Sequence, residues 1–575
     1  MPSYRVPVRQ SSPEIAEIAD LIDRDPERVL EAFQILQSRH NGLTLEMIDD
    51  VAHQLRIPPA KAHGVATFYS MLSIPPEPEN PLYVCDGVVC WMNGASSIMK
   101  HAREQGWHVK RSSCLGLCNC APAAFHDGSQ YGPLSSDNLS DPPKIDSSPA
   151  HSRVMTPRTG EIRQLLHDID QINPASLQSA LSFGAYVALR NTLENEKSPH
   201  EILDEVHRSG VLGRGGAGFP AGRKWHGAAA ETKTPKYVVC NADESEPLTF
   251  KDRILMETNP HQMIEGMILC GYAVGANDGY IYIRGEYEPQ ALLLESAIRQ
   301  AEEQGFLGTD ILGSGFSFHL HVHRGAGAYI CGEGSALISS LEGKRGIPRF
   351  RPPRTTTSGF RGCPTVVNNV ETFAAVSWVT RHGADTYLAS GNPEYPGSKL
   401  YGVMGHVNDP GLFEAPYRIT LRQIIEEYGG GMPERSEFHF ALTGGAAGTI
   451  VGPDLLDVPL DFESGTSNIM LGAGGFLICD QSVSPLQVLR ELAFFFEVES
   501  CGKCTPCRIG TVELRQMLDR MLETGSRPGD LPRLRELAVS LRRDSFCALG
   551  QSVADPLESA IDQFPELFQS EARHA

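Results

Sequence analysis

At 575 residues the chain is too long for one hydrophobic core, and roughly three to five domains are expected. Hydrophobic residues make up 41% and charged residues 21%, a globular profile, and no apolar run approaches the ~20 residues that a membrane helix needs. The formal net charge of −20, with no long basic tract, excludes nucleic acid as a natural partner.

The first residues, Met1-Pro2-Ser3-Tyr4-Arg5-Val6, lack the apolar core of a secretory signal, so a cytoplasmic location is expected. Such a compartment keeps thiols reduced, which argues against disulfides among the 14 cysteines. Residues 1–75 read as a helical segment: Ile15, Ile18, Leu21 and Ile22, then Val29, Leu30, Phe33 and Leu36, recur at helical spacing. They indicate core packing and nothing more.

In residues 76–135 a strand over Leu82-Tyr83-Val84 runs into Cys85, with Cys90 beyond it, and a strand near Val109 leads to Cys114 and Cys118. Two loops that each follow a strand and carry a cysteine pair can place four thiolates around a small soft-metal centre. Four buried free thiols or a zinc site are the competing readings, but zinc pairs usually sit closer together in sequence. Cys120 reads as a bystander. Residues 136–160, dense in Ser, Asp and Pro, read as a linker.

Residues 161–394 carry the most information. Gly213-Arg214-Gly215-Gly216-Ala217-Gly218-Phe219-Pro220-Ala221-Gly222-Arg223-Lys224 offers backbone N–H groups free of Cβ atoms, with Arg214 and Lys224 to supply charge for a phosphate. The spacing is neither the dinucleotide fingerprint nor a P-loop, since Phe219 and Pro220 stand where a helix should begin. The strand Tyr237–Cys240 ends in Asn241-Ala242-Asp243-Glu244-Ser245-Glu246, polar groups at the usual ligand end of an α/β sheet. His319, His321 and His323 alternate along another strand and read as face residues, not metal ligands. A second glycine-rich turn, Gly325 to Gly334, precedes an apolar helix and offers a helix N-terminus to an anion. Arg349, Arg351 and Arg354 follow, then Asn368 and Asn369.

In residues 481–575, Cys501, Cys504 and Cys507 place three thiolates on one turn and Cys547 stands alone downstream. Three close ligands and one remote one suit a [4Fe-4S] cluster; a zinc site is the alternative. Segments around Leu486–Phe496 and Leu531–Leu541 have helical periodicity, so a helical bundle holding the cluster is expected.

In this order, these motifs resemble those of the FMN- and NADH-binding flavoprotein subunit of complex I and its relatives, the diaphorase subunits of soluble hydrogenases and the β subunits of formate dehydrogenases. Cys85, Cys90, Cys114 and Cys118 resemble the thioredoxin-like [2Fe-2S] subunit of complex I. The resemblance implies a multidomain α/β protein: a thioredoxin-like domain, a modified Rossmann-like FMN domain, a ubiquitin-like domain over 395–480 and the helical bundle. It implies FMN contacts from Gly213, Arg214, Gly216, Lys224, Asn241, Asp243, Glu244, Tyr329, Gly332, Glu333, Asn368 and Asn369. Phe219 is expected to stack on the adenine and Glu246 to meet the nicotinamide. The implied activity is electron transfer between NAD(P)(H) and iron–sulfur clusters through FMN, with no side chain as acid or base. Relatives usually carry an acidic residue at Gly334, and Lys and Phe at Arg351 and Arg354, which points to acceptance of NADP(H). They commonly carry glycine where this chain has Leu248. The implied partner is a molybdenum or tungsten formate-oxidising subunit; the alternatives are a nickel–iron hydrogenase, complex I, or an electron-bifurcating assembly. The last usually adds a C-terminal pair of clusters for which no further cysteines follow Cys547.

Overall fold

The computed structural model describes residues 12–145, 157–462 and 469–569. Four helices, Pro13–Leu21, Val29–His40, Leu45–Gln54 and Pro59–Ala66, follow the apolar periodicity of the first segment. Their buried faces close on one another and also on Tyr282, Leu337, Ile338 and Leu341 of the central domain. Gln34 Nε2 donates to Gly325 O at 2.7 Å. The segment therefore also buttresses the second glycine-rich turn.

Strands β1 (Leu82–Cys85), β2 (Val109–Ser112), β3 (Ala124–His126) and β4 (Ser129–Tyr131) form a sheet in the order β2-β1-β3-β4. β1 and β2 are parallel, with Cys85 opposite Ser112. That register sends both cysteine loops out at the same end of the sheet. The expected linker divides in three. Residues 146–156 lie outside the described residues. Before them, Leu139 is buried with Leu82 and Val84, and Tyr131 bridges Lys144, so residues 136–145 are folded onto the sheet. A few well-spaced apolar side chains pin an otherwise irregular segment. After them, Arg158 Nη1 donates to Asp409 O at 2.7 Å.

The central domain is a parallel sheet, β5 (Tyr237–Ala242), β6 (Asp278–Ile283), β7 (His319–Arg324) and β8 (Thr365–Asn369), in the order β7-β6-β5-β8. The chain steps outward from β5 to β7 and then returns to the other side of β5. This reversal opens a crevice at the carboxyl ends of β5 and β8, where open α/β sheets bind ligands. Asn241 and Asn369 face each other there in register. His321 pairs with Asp278 at 3.4 Å and His323 stacks on Tyr282, which leaves these histidines as strand-face groups.

The helix Ala221–Ala229 starts directly after Pro220, so the glycine stretch does open onto a helix, one delayed by Phe219 and Pro220. It packs on Pro199–Arg208, with Gly222 against the backbone of His207, where any Cβ would overlap the His207 Cα. Gly222→Ala is expected to lower stability by about 1–3 kcal/mol through overpacking. Thermal melting of the purified protein checks this, and an unchanged midpoint would count against so tight a crossing.

Strands β9 (Ser398–Gly405), β10 (Gly411–Pro416), β11 (Phe438–Thr443), β12 (Thr449–Val451) and β13 (Gly475–Asp480) make the ubiquitin-like sheet, ordered β10-β9-β13-β11-β12. Helices Pro485–Glu499, Thr505–Thr524, Asp530–Asp544 and Ala554–Gln563 form the C-terminal bundle. Among the described residues no helix is long and apolar enough to cross a membrane.

Candidate functional site

The glycine stretch is a closed loop: Gly213 N donates to Phe219 O at 3.0 Å and Ala221 N to Val211 O at 2.9 Å. Gly216 and Gly218 have φ of +110° and +62°, a region that favours glycine. The loop faces the ends of β5 and β8, with Gly215 beside Asn369. Lys224, on the first turns of the following helix, donates to Val367 O at 2.7 Å. Burial lowers its pKa to about 8. Phe219 is 39% exposed at the mouth, under the Arg223 guanidinium.

Inside the crevice two buried polar atoms lack any partner: Asp243 Oδ2 and Asn368 Nδ2. A buried acceptor or donor left unpaired costs desolvation energy unless a ligand answers it. Burial holds the Asp243 carboxyl well above the usual carboxylate range. Asn241 Nδ2 donates to Gly332 O at 2.8 Å and thereby ties the end of β5 to the second glycine-rich turn. A flat ligand carrying both donors and acceptors, with a phosphate at the glycine loop, fits these groups.

Four expected contacts have their polar groups directed elsewhere. The Arg214 guanidinium is fully buried against Tyr387, Ser398 O and Glu371, so it does not bring charge to the loop. Glu244 accepts from Asp252 N and Arg253 N, both at 3.0 Å, and caps the helix Lys251–Thr258. Glu333 caps the helix Gly334–Leu341 through Ser335 N and Ala336 N and accepts from Arg351. Asn369 is held by Lys251 at 3.1 Å and Asp252 at 2.5 Å. In each case a helix start or a buried counter-charge competes for the side chain, a contact invisible in a linear motif.

Two loops of the ubiquitin-like domain also reach the crevice. Gly472 and Ala473 lie beside Gly216, and Glu246 packs on Gly445 while accepting from Ala447 N at 3.1 Å. Sequence reasoning missed them, although the runs Gly444-Gly445-Ala446-Ala447-Gly448 and Gly472-Ala473-Gly474-Gly475 were a legible signal. Leu248 has φ of +76°, so it adopts backbone angles that suit glycine, and its side chain is packed beneath Gly475.

Tyr329 connects this crevice to the bundle. Its hydroxyl donates to Glu246, its N–H donates to Glu499 Oε2 at 2.9 Å, and its ring meets Phe495 edge-on at 4.9 Å. The next residue, Ile330, lines a small cavity with Cys501, Cys504, Cys507 and Cys547. Phe546 N donates to Cys504 Sγ at 3.4 Å and Ser500 Oγ lies 3.2 Å from Cys507 Sγ. Three of these four cysteines are partly exposed, beside Lys503 and the exposed Phe350.

The other four thiols, Cys85, Cys90, Cys114 and Cys118, are all buried. Cys114 and Cys118 have their sulfurs 3.7 Å apart, and Gly87 sits between Cys85 and Cys114 with no room for a side chain to spare. Among the described residues no three His, Cys, Asp or Glu groups gather closely enough for a single ion. Each quartet offers four thiols, a donor set that suits an iron–sulfur cluster.

Three family models match: the thioredoxin-like [2Fe-2S] ferredoxin over 15–141, the Nuo51 FMN-binding domain over 206–378, and the NADH-ubiquinone oxidoreductase-F iron-sulfur binding region over 487–571. An NADH-quinone oxidoreductase subunit of Rhizobium meliloti is 44% identical over 401 residues, 70% of this chain and 95% of that one. The NADP-reducing hydrogenase subunit HndC of Solidesulfovibrio fructosivorans is 40% identical over 400 residues, 69% of this chain and 81% of that one. An NAD+-reducing [NiFe]-hydrogenase structure in the H2-reduced state matches with a TM-score of 0.80 at 30% identity, over 96% of this chain and 95% of that one. FMN, a [2Fe-2S] cluster and a [4Fe-4S] cluster are thus the cofactors, and a nicotinamide nucleotide is the substrate. The chain belongs to the family of the FMN-binding subunits of NADH-quinone oxidoreductase, the NAD(P)H-dependent flavoproteins of complex I-type and hydrogenase modules, and joins to it a thioredoxin-like [2Fe-2S] domain.

Proposed function

We propose that this chain is the nucleotide-exchanging module of a larger cytoplasmic complex, passing electrons between NAD(P)(H) and a metal-bearing catalytic subunit. The observation that carries it is the adjacency of Tyr329 and Ile330, consecutive residues of which one faces the crevice and the other the Cys501/Cys504/Cys507/Cys547 cavity. FMN would supply the junction chemistry, since it can take an electron pair as one hydride from a nicotinamide and release the electrons singly.

The chain's own residues hold and shield that chemistry. Gly213, Gly216 and Gly332 give backbone room; Asp243 and Asn368 offer the two unanswered polar atoms to the flavin. Tyr329 keeps Glu246 oriented toward the nicotinamide side while Phe219 offers an exposed ring to the adenine. The partly exposed [4Fe-4S] cysteines mark the exit to the partner, whereas the buried [2Fe-2S] quartet suits a side store. Direction depends on the partner, and reduction of the nucleotide by electrons arriving at the exit is equally allowed.

Lys224 is the cation this reading assigns to the flavin phosphate. Burial brings its pKa down to about 8, so the charge is present below that pH and lost above it. FMN affinity of the deflavinated protein is expected to fall as pH rises through about 8, and Lys224→Met to bind about tenfold more weakly with that pH dependence gone, the loss of one charge-assisted hydrogen bond. Quenching of flavin fluorescence on binding measures both. An unaltered pH profile in Lys224→Met would remove Lys224 from the site.

For the partner we propose a molybdenum- or tungsten-dependent formate-oxidising subunit. A nickel–iron hydrogenase is the second reading, favoured by the end-to-end likeness to the NAD+-reducing hydrogenase structure. Elemental analysis of the intact complex separates them: molybdenum or tungsten supports the first, nickel the second. A complex with none of these metals overturns both.

A further inference from the structure

We propose that Arg284 and Arg253, on the central domain, are positioning residues for the [2Fe-2S] centre, which hold the Cys114–Asn119 loop and raise the centre's tendency to accept an electron. Both side chains are almost fully buried. Arg284 Nη2 donates to Cys114 O at 2.6 Å, while its Nη1 donates to Glu244 O at 2.7 Å. One guanidinium thus touches both the acidic turn of the flavin crevice and the backbone of a cluster ligand. Arg253 Nε donates to Gly116 O at 3.1 Å and its Nη2 to Asn119 Oδ1 at 2.6 Å.

Tyr287 completes the grip. Its hydroxyl fills the place where a Cβ on residue 116 would stand, and Gly116, at φ +67°, turns its N–H toward Cys114 Sγ at 3.4 Å. The loop therefore owes its shape to side chains far away in sequence. Glu286 and Glu257 neutralise the two arginines, at 2.9 Å each, but the guanidinium groups themselves touch the loop. The arrangement presents the positive end of a buried dipole to the cluster.

With both groups bound, the centre would take up a single electron supplied by the reduced flavin, with no bond made and no proton required. It adds one negative charge inside a water-poor site, where a neighbouring cation acts with little screening. The inference rests on the reading of the four cysteines as the [2Fe-2S] site.

The test is an anaerobic redox titration of the full holoprotein followed by electron paramagnetic resonance, with the [4Fe-4S] signal as internal reference. Arg284→Gln combined with Glu286→Gln removes the pair without stranding a carboxylate. At a fixed potential the reduced-to-oxidised ratio of the [2Fe-2S] centre is expected to fall about tenfold, which is about 59 mV for one electron. Arg284→Lys keeps a buried cation and loses the two-carbonyl bridge, so a smaller shift of the same sign is expected. An unmoved ratio in both variants with an intact signal overturns the proposal, as does an equal shift of both clusters. A parent protein with no [2Fe-2S] signal overturns the cysteine reading beneath it.

Discussion

Cys547→Ala is expected to abolish the [4Fe-4S] signal and to slow nucleotide-driven reduction of the partner subunit by at least about 100-fold, while the protein stays yellow. Removing a partner that merely orients a metal ligand already costs about 10- to 100-fold, and Cys547 is a ligand itself. Cys501, Cys504 and Cys507 share one turn, whereas Cys547 reaches the same cavity from a remote stretch of chain, at the start of the helix Ala548–Ser552. The N–H groups of Leu549 and Gly550 favour its thiolate there, against a burial that pushes the thiol pKa up. Alanine at this position would leave three thiolates where a [4Fe-4S] cluster takes four.

The control is built into the geometry. The flavin crevice is formed by the glycine loop, β5, β8 and the ubiquitin-like loops, none of which contains Cys547. Oxidation of the nucleotide by a small soluble oxidant that enters the crevice is therefore expected to persist in Cys547→Ala. Iron analysis and flavin absorbance, with both assays, check it. Full iron content in the variant would dismiss Cys547 as a ligand, and loss of both activities would place the exit elsewhere.

What the sequence disclosed and what it withheld divide along one physical line. Cysteine spacing, the two glycine-rich turns and the polar end of Tyr237–Ala242 are local, and each appears where the chain order suggested. Even the parallel pairing that brings Cys85 and Cys114 to one end of a sheet follows from strand-then-loop repetition. Side-chain destinations are not local. Arg214 turns toward Glu371 and Tyr387, and Glu244 toward a helix start that only folding brings near. Asp243 and Asn368 become conspicuous only once their neighbours are seen to leave them unpaired. The loops at Gly445 and Ala473 come from another domain, so no spacing rule links them to Glu246 or Gly216. Leu248 illustrates the same limit: its left-handed backbone is enforced by packing beneath Gly475, against its own preference.

Gly334→Glu is expected to lower kcat/KM for NADPH by about 10- to 100-fold and to leave NADH nearly unchanged. We infer from Gly334, Arg351 and Arg354 that the nucleotide site accepts a 2′-phosphate. Gly334 begins the helix that Glu333 caps, its φ lies outside the left-handed region, and the nearest atom to an added Cβ is Val367 Cγ1 at 3.8 Å. A glutamate therefore fits without strain, and the variant tests charge and not folding. Arg351 already reaches across to Glu333, so its guanidinium borders this helix start, and Arg354 is exposed three residues further along the chain. A carboxylate at 334 repels a phosphate and draws Arg351 to itself. A hydrogen bond to a charged group is worth about 1.5–3 kcal/mol, which converts to the factor expected. Arg351→Ala with Arg354→Ala should weaken NADPH alone, because NADH carries no 2′-phosphate for either group to meet. Steady-state kinetics with both nucleotides decide the matter: a parent that strongly prefers NADH, with a ratio that Gly334→Glu does not move, would leave these arginines as solvated surface groups.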